Sequence, residues 1–462
     1  MRTPVRLVSP VNGEVYAERT PLTPEAAEAA VARARAAQPG WAALPLSERI
    51  TRVEGAVAAL KEVEAQLVQE LAWQMGRPVR YGGELGGVAE RVAYMAAVAE
   101  ESLGATEIED SPGFLRRIER APVGVVLAIA PWNYPYLTAI NTAAPALIAG
   151  NAVVLKHASQ TLLVGERLAE AFHSAGVPED VFQNLVLDHA TTEGLIGARA
   201  FGAVNFTGSV AGGRAIERAA AGSFTGLGLE LGGKDPGYVL EDADLDWAVD
   251  GLMDGALFNA GQCCCGIERI YVHRARFDAF VEAAVAWAEG LTLGNPLEEA
   301  TTLGPMAAAR FAAVVRRHTE EAVAAGARAL VDPGRFPADD GGAYLAPQVL
   351  IDVDHTMTVM TEESFGPVVG IMAVDSDEEA LALMNDSPYG LTASLWSADP
   401  ERALTLGRRI ETGTVFLNRA DYLDPALCWT GCKDTGRGAT LSTLGYQALT
   451  RPRSYHFRKR KA

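Results

Sequence analysis

The sequence predicts an α/β protein centred on a parallel sheet of dinucleotide-binding type. Three observations predict it. From Gly124 onward, short apolar runs alternate with helical patterns. The runs lack polar alternation, so they read as strands buried on both faces, the pattern of a parallel sheet. A turn of small residues, Thr207-Gly208-Ser209-Val210-Ala211-Gly212-Gly213, follows one such run and opens a helix. Small side chains let a phosphate approach, and helix-terminal N–H groups point at it.

Taken in order, Pro10-Val11-Asn12-Gly13-Glu14 is a turn. Residues 24–37 and 46–75 carry the periodicity of amphipathic helices, with Thr23 and Ser47 as N-caps. Residues 84–103 continue the helical pattern. Residues 114–126 mix apolar and charged side chains, the composition of an exposed strand or ribbon. Strands follow at 124–129, 152–156, 182–187 and 203–206, with helices at 137–149, 162–174 and 210–221. A second domain starts near Pro236. It holds helices at 242–258, 275–290 and 307–325, strands at 268–273 and 413–418, and an Asp-, Gly- and Pro-rich surface loop at 332–343. The basic tail, residues 454–462, reads as a solvated terminus.

At 462 residues, with 49% hydrophobic and 21% charged composition, the chain is an ordinary globular protein of two or three domains. Its formal net charge of −18 argues against nucleic acid or an anionic membrane as partner. Residues 121–155 contain no charge, yet Pro122, Pro131, Pro135 and Pro145 break any spanning helix there. The first 14 residues have no apolar core of a signal peptide. Five cysteines, three of them contiguous, form no disulfide framework, so a reducing cytoplasm is expected.

Three stretches carry chemistry. Asn259-Ala260-Gly261-Gln262-Cys263-Cys264-Cys265-Gly266 places three thiols between glycines. They lack the C-x-x-C spacing of a structural zinc site. One thiol is either presented as a nucleophile or buried as a small apolar side chain. Gly228-Leu229-Glu230-Leu231-Gly232-Gly233-Lys234 sets one carboxylate in an apolar run. Burial would raise its pKa and suit it to general-base work; the alternative is a surface Glu at a strand end. Ala130-Pro131-Trp132-Asn133-Tyr134-Pro135 fixes a loop with two prolines and aims Asn133, whose side-chain N–H suits a developing oxyanion.

These residues resemble the NAD(P)-dependent aldehyde dehydrogenase superfamily. The resemblance runs from about residue 10 to about residue 453. It includes P-W-N-Y-P at Pro131, F-T-G-S at Phe206, E-L-G-G-K at Glu230, G-Q-C-C at Gly261, E-S-F-G-P at Glu363 and G-x-K-x-x-G at Gly431. It implies an aldehyde dehydrogenase-like fold: a cofactor domain over 1–112 and 127–235, an α/β catalytic domain over 236–435, and an oligomerisation segment over 113–126 and 436–462. It implies Cys264 as nucleophile, Glu230 as base and Asn133 as oxyanion donor. Trp132, Lys156, Ser159, Gly208, Ser209, Gly213, Glu363 and Phe365 would bind NAD or NADP. Lys156 would meet the ribose, Ser159 the adenosine 2′ position, Glu363 the nicotinamide ribose and Phe365 the nicotinamide. No metal is implied, and the assembly would be a homodimer or homotetramer.

The sequence departs from the family at three places. NAD-preferring relatives often carry Glu where Ser159 stands, and a carboxylate there would repel a 2′-phosphate. His157 stands at a common proline. Cys428-Trp429-Thr430-Gly431-Cys432 replaces a usual Pro-Phe-Gly-Gly, and Cys428 and Trp429 are expected to line the aldehyde tunnel. Succinate semialdehyde dehydrogenases often place an Arg near Asn141; here residues 121–155 offer no cation. An uncharged aliphatic or aromatic aldehyde is therefore expected, with a semialdehyde as the alternative. Three rival classes fit less well. CoA-acylating relatives generally lack the Glu matched by Glu230, a cysteine hydrolase needs a histidine partner, and a protein that merely keeps the fold would be free to lose Cys264 or Glu230.

Overall fold

In the computed structural model, which describes residues 2–109, 113–420 and 422–459, two sheets carry the chain. The first has six strands in the order Gly436–Arg437, Gly226–Glu230, Ala203–Thr207, Val125–Ala130, Ala152–His157 and Phe182–Asn184. Five run parallel; only Gly436–Arg437 is antiparallel. The chain leaves Val125–Ala130 toward one side and returns to its other side at Ala203–Thr207. The crevice between those two strands is therefore the switch point, where parallel sheets open their binding sites.

Helices cover both faces. Pro135–Ile148 packs on one side, in a core with Val53, Leu60, Val88, Val153 and Phe172. Pro24–Ala42 covers the other, with Leu127, Val154 and Ile196. The uncharged stretch is thus a strand, a loop, a helix and a strand, as its prolines require. No helix among the described residues is long and apolar enough to cross a membrane.

The second sheet has seven strands in the order Arg328–Ala329, Gln348–Ile351, Val368–Val374, Ile267–His273, Asp235–Val239, Thr392–Trp396 and Thr414–Leu417. Residues 231–234 are the crossover between the sheets: Glu230 ends a strand of the first and Asp235 begins a strand of the second. A third, antiparallel ribbon joins Thr450–Arg458, Phe114–Pro122 and Thr106–Glu107.

The structure corrects several expectations. The helix expected over 46–75 is two, Leu46–Glu62 and Glu64–Met75, broken at Val63. Ser47 lies inside the first turn, with Pro45 at the cap, whereas Thr23 does accept from the Ala26 N–H. Gly436–Arg437, assigned by sequence to the oligomerisation segment, instead forms an edge strand of the first sheet. The expected solvated tail pairs its backbone with Phe114–Pro122 as far as Arg458, while its side chains stay mostly exposed; Arg460, Lys461 and Ala462 lie outside the described residues.

Candidate active site

The loops after the two strands flanking the switch point meet the cysteine loop around one cavity of about 250 Å³. Its walls include Trp132, Asn133, Thr207, Gly208, Ser209, Glu230, Cys264, Phe311, Glu363 and Phe365. Asn133, Glu230 and Cys264, far apart in sequence, thus share one space.

Each is held from behind. The turn before Cys264 is unusual: Asn259, Ala260 and Gly261 all have positive φ (53°, 55° and 68°). Gly261 is required, since a Cβ there would stand 2.3 Å from the Gly366 carbonyl. Gln262 locks the turn, donating to the Asn259 carbonyl at 3.0 Å and accepting from the Ala307 N–H at 2.8 Å. Cys263 and Cys265 are buried among Leu391, Trp429 and Leu441, and Cys264 is the one partly open to the cavity.

Asn133 is buried and donates one Nδ2 proton to the Gln262 carbonyl at 3.2 Å. Its own carbonyl accepts from Arg77 Nη2 and from Asn259 Nδ2. Arg77 pairs with Glu84 at 2.6 Å, both side chains almost wholly buried. Glu84 also accepts the Leu137 N–H at 2.8 Å, at the start of helix Pro135–Ile148. One buried ion pair therefore fixes both the loop and the helix after it.

Glu230 accepts from Thr207 Oγ1 at 3.0 Å and from Thr440 Oγ1 at 2.6 Å. Burial pushes its carboxyl above the usual range, while the two hydroxyls and the Arg91 charge pull it back. This is the environment of a base rather than of a solvated strand end.

On the far wall, Glu363 is pushed up to about 8 by burial and by the charge of Glu268, against the Gly233 N–H that it accepts at 3.1 Å. Gly232 makes room for it, since a Cβ there would lie 2.3 Å from a Glu363 oxygen. Glu268 accepts the N–H groups of Ser364 and Phe365 at 2.8 and 2.9 Å and pairs with the fully buried Lys234. Phe365 has φ 53° and meets Trp132 edge-on at 5.6 Å, and Trp132 stacks on Phe311 at 4.9 Å.

The residues expected to hold a cofactor divide. Trp132, Gly208, Ser209, Glu363 and Phe365 line the cavity; Lys156, Ser159 and Gly213 do not. Lys156 lies at the end of the neighbouring strand Ala152–His157, and Ser159 opens the turn after it, on the same edge of the sheet. Gly213 faces Leu231, whose Cδ2 would stand 2.6 Å from a Cβ, so it serves helix packing. Ser209 caps helix Val210–Ala220, accepting from the Gly212 N–H, and no acidic residue occupies the first turn. That end thus suits a pyrophosphate, and Glu363 could accept from ribose hydroxyls. His157 donates to the Pro135 carbonyl at 3.2 Å and meets Thr161 Oγ1 at 3.2 Å; burial lowers it to about 4, so it is neutral.

Two expectations change. Cys428 and Trp429 line a separate cavity of about 110 Å³ with Tyr422, Leu423 and Leu441; Trp429 backs the cysteine triplet instead of the main cavity. A cation also stands beside Asn141: buried Arg91, from helix Leu85–Ala97, donates to Asn141 Oδ1 at 2.9 Å and to the Leu137 carbonyl at 3.2 Å. Arg77, Glu84, Arg91, Thr207 and Thr440 escaped sequence reasoning. Arg91 sits on an amphipathic helix, where a charge reads as a solvated face; Arg77 and Glu84 lie between helices, and the partners of Glu230 lie 23 and 210 residues away.

The model of the aldehyde dehydrogenase family matches residues 2–455. The chain belongs to the aldehyde dehydrogenase family. It is 37% identical over 433 residues to geranial dehydrogenase of Castellaniella defragrans, covering 92% of this chain and 90% of that one. It is 34% identical over 440 residues to betaine aldehyde dehydrogenase of Rhizobium leguminosarum bv. trifolii, covering 94% and 90%. The solved structure of betaine aldehyde dehydrogenase from Staphylococcus aureus in complex with NAD+ superposes with a TM-score of 0.93 at 29% identity, over 100% of this chain and 92% of that one. As an aldehyde dehydrogenase, this chain is an oxidoreductase acting on an aldehyde group.

Proposed function

We propose that the enzyme oxidises an aldehyde to a carboxylic acid with NAD or NADP, through a covalent acyl group on Cys264. The observation that carries this is the meeting of Cys264, Asn133 and Glu230 at one cavity. The Cys264 thiolate attacks the aldehyde carbon, and its electron pair forms the C–S bond. The second Asn133 Nδ2 proton and the Cys264 backbone N–H stabilise the oxyanion. A nicotinamide held beside Trp132 and Phe365 would supply the hydride acceptor. Glu230 then takes a proton from water, whose oxygen attacks the thioester and releases the acid and the Cys264 thiolate.

Ser209 and the N–H groups of its helix would hold the pyrophosphate, Lys156 and Glu363 the riboses, and Trp132 and Phe365 the space around the nicotinamide. Ser159, exposed at its turn, presents no carboxylate against a 2′-phosphate. Both cofactors are therefore expected to serve, with kcat/KM values within about 100-fold of each other, or roughly 2.7 kcal/mol. A wider ratio would contradict dual use.

The substrate reading is an uncharged aliphatic or aromatic aldehyde, supported by the apolar side chains of Phe311 and Val314 in the cavity wall. Arg91 favours a second reading, a semialdehyde whose carboxylate meets the guanidinium. Comparing kcat/KM for hexanal, benzaldehyde and succinate semialdehyde, with either cofactor, decides it. A clear win for the semialdehyde that Arg91→Leu abolishes would establish the second reading. The ribbon, with Phe457 exposed, supports a homodimer or homotetramer, and the absence of disulfides among the described residues supports a cytoplasmic setting.

A further inference from the structure

Consecutive side chains usually diverge, yet the turn after Gly261 gathers three. The Gly266 N–H closes on the Cys263 carbonyl at 3.1 Å, wrapping the chain around Cys264 and Cys265. The sulfurs of Cys263 and Cys265 stand 3.4 Å apart, and all three lie within 4.8 Å of one another. Three sulfurs bound about 2.3 Å from one zinc ion would stand about 3.8 Å apart. The spacing argument against zinc concerns two ligands carried by one regular turn; here an irregular turn brings adjacent residues to a common point.

We infer that Cys263, Cys264 and Cys265 together form a capture site for one thiophilic d10 cation, Zn2+ or Cd2+, and that its occupation switches the enzyme off reversibly. Each thiol gives up its proton and each sulfur donates a lone pair, so one Zn2+ and three thiols yield a complex of charge −1 and three protons. The fourth position faces the cavity through Cys264 and takes water. Arg91 supplies a compensating charge: it is buried, bonded to neutral acceptors, and within electrostatic reach of Cys264 and Cys265. Soft sulfur donors select such ions over magnesium or calcium. The loss of activity rests on Cys264 being the nucleophile; the capture itself does not.

The test uses the full chain in two arms. Zinc K-edge absorption of the wild-type protein, loaded with one equivalent and without substrate, is expected to show three sulfur neighbours at about 2.3 Å. One or two sulfurs would overturn the inference, whatever the dehydrogenase activity. In the second arm, zinc is expected to inhibit the wild type at one ion per chain, with activity restored by a chelator. The Cys263→Ser/Cys265→Ser double variant, active without zinc, should need about 100-fold more metal for equal inhibition. Equal sensitivity would sink the proposal. If the double variant does not fold, the sulfur count on the wild type decides alone.

Discussion

Only Cys264 of the triplet reaches the cavity, so substitutions there should separate sharply. Cys264→Ala is expected to abolish aldehyde oxidation, while Cys263→Ala and Cys265→Ala keep most of it; steady-state rates check this, and an active Cys264→Ala enzyme ends the assignment. Glu230→Gln should keep a pre-steady-state burst of reduced cofactor but turn over slowly, because the base is needed after the thioester forms. Equal loss of burst and turnover would place Glu230 earlier. Since burial raises the Glu230 pKa and only the ionised form accepts a proton, kcat should rise with pH along a limb above the usual carboxylate range. Thr440→Val removes a hydrogen bond that favours the charged form. The limb should then move up by about one pH unit, the equivalent of roughly 1.4 kcal/mol; an unmoved limb would show that the hydroxyl does not tune the base. Glu363 gives a stability prediction. Its folded pKa, near 8, exceeds the unfolded value near 4.5, so between these values the folded chain binds more protons. Stability should therefore fall as pH rises from about 4.5 to 8, and less so in Glu363→Gln, as thermal midpoints across that window will show. That Asn133, Glu230 and Cys264 would meet was readable through the family resemblance, which alone picked Cys264 from the triplet; the cavity brings the three together. Arg91 was not readable, because nothing in a helix's own sequence says that its charged stripe faces another helix, nor was Arg77, which lies in the segment between two helices where no periodicity marks burial.

At the scale of elements, the Arg77–Glu84 pair joins three: the segment after helix Glu64–Met75, the loop at Asn133 and the start of Pro135–Ile148. Removing one member leaves a buried charge alone. Arg77→Met should cost about 3–5 kcal/mol of stability and lower kcat by freeing Asn133. Denaturant midpoints and kcat measure the two losses, and unchanged kcat would show that the prolines and the bonds to Asn259 and Gln262 hold the loop without Arg77. Strands such as Val125–Ala130 and Ala152–His157 were readable because burial on both faces leaves an apolar run, whereas Asp235–Val239 and Thr392–Trp396, equally buried but carrying Asp, Pro, Gly, Thr and Ser, were not read. The short helices His189–Gly197 and Pro400–Gly407 were not read, since two turns give little periodicity to recognise. The break at Val63 was also hidden. Residues on both sides are good helix formers, and Val63 alone leaves the helical region, at φ −112° and ψ 14°.

At the scale of the whole molecule, the C-terminal strand pairs along nine residues with Phe114–Pro122. If that ribbon carries assembly, a chain ending at Leu449 should run as a monomer by light scattering, and an intact oligomer would place the interface elsewhere. Between the second sheet and the ribbon, the chain passes back across the first sheet, adding Gly436–Arg437 beside Glu230 and bringing Thr440 onto its carboxylate. This return sets an order on synthesis. A ribosome that has made Cys264, Asn133 and Glu230 has not yet made the strand and hydroxyl that complete the base. Translation must run 210 residues past Glu230 to reach Thr440. If Glu230 is the base, as proposed, a nascent or prematurely terminated chain carries its thiols before the hydroxyl that completes that base, and catalytic competence waits until Thr440 has been made.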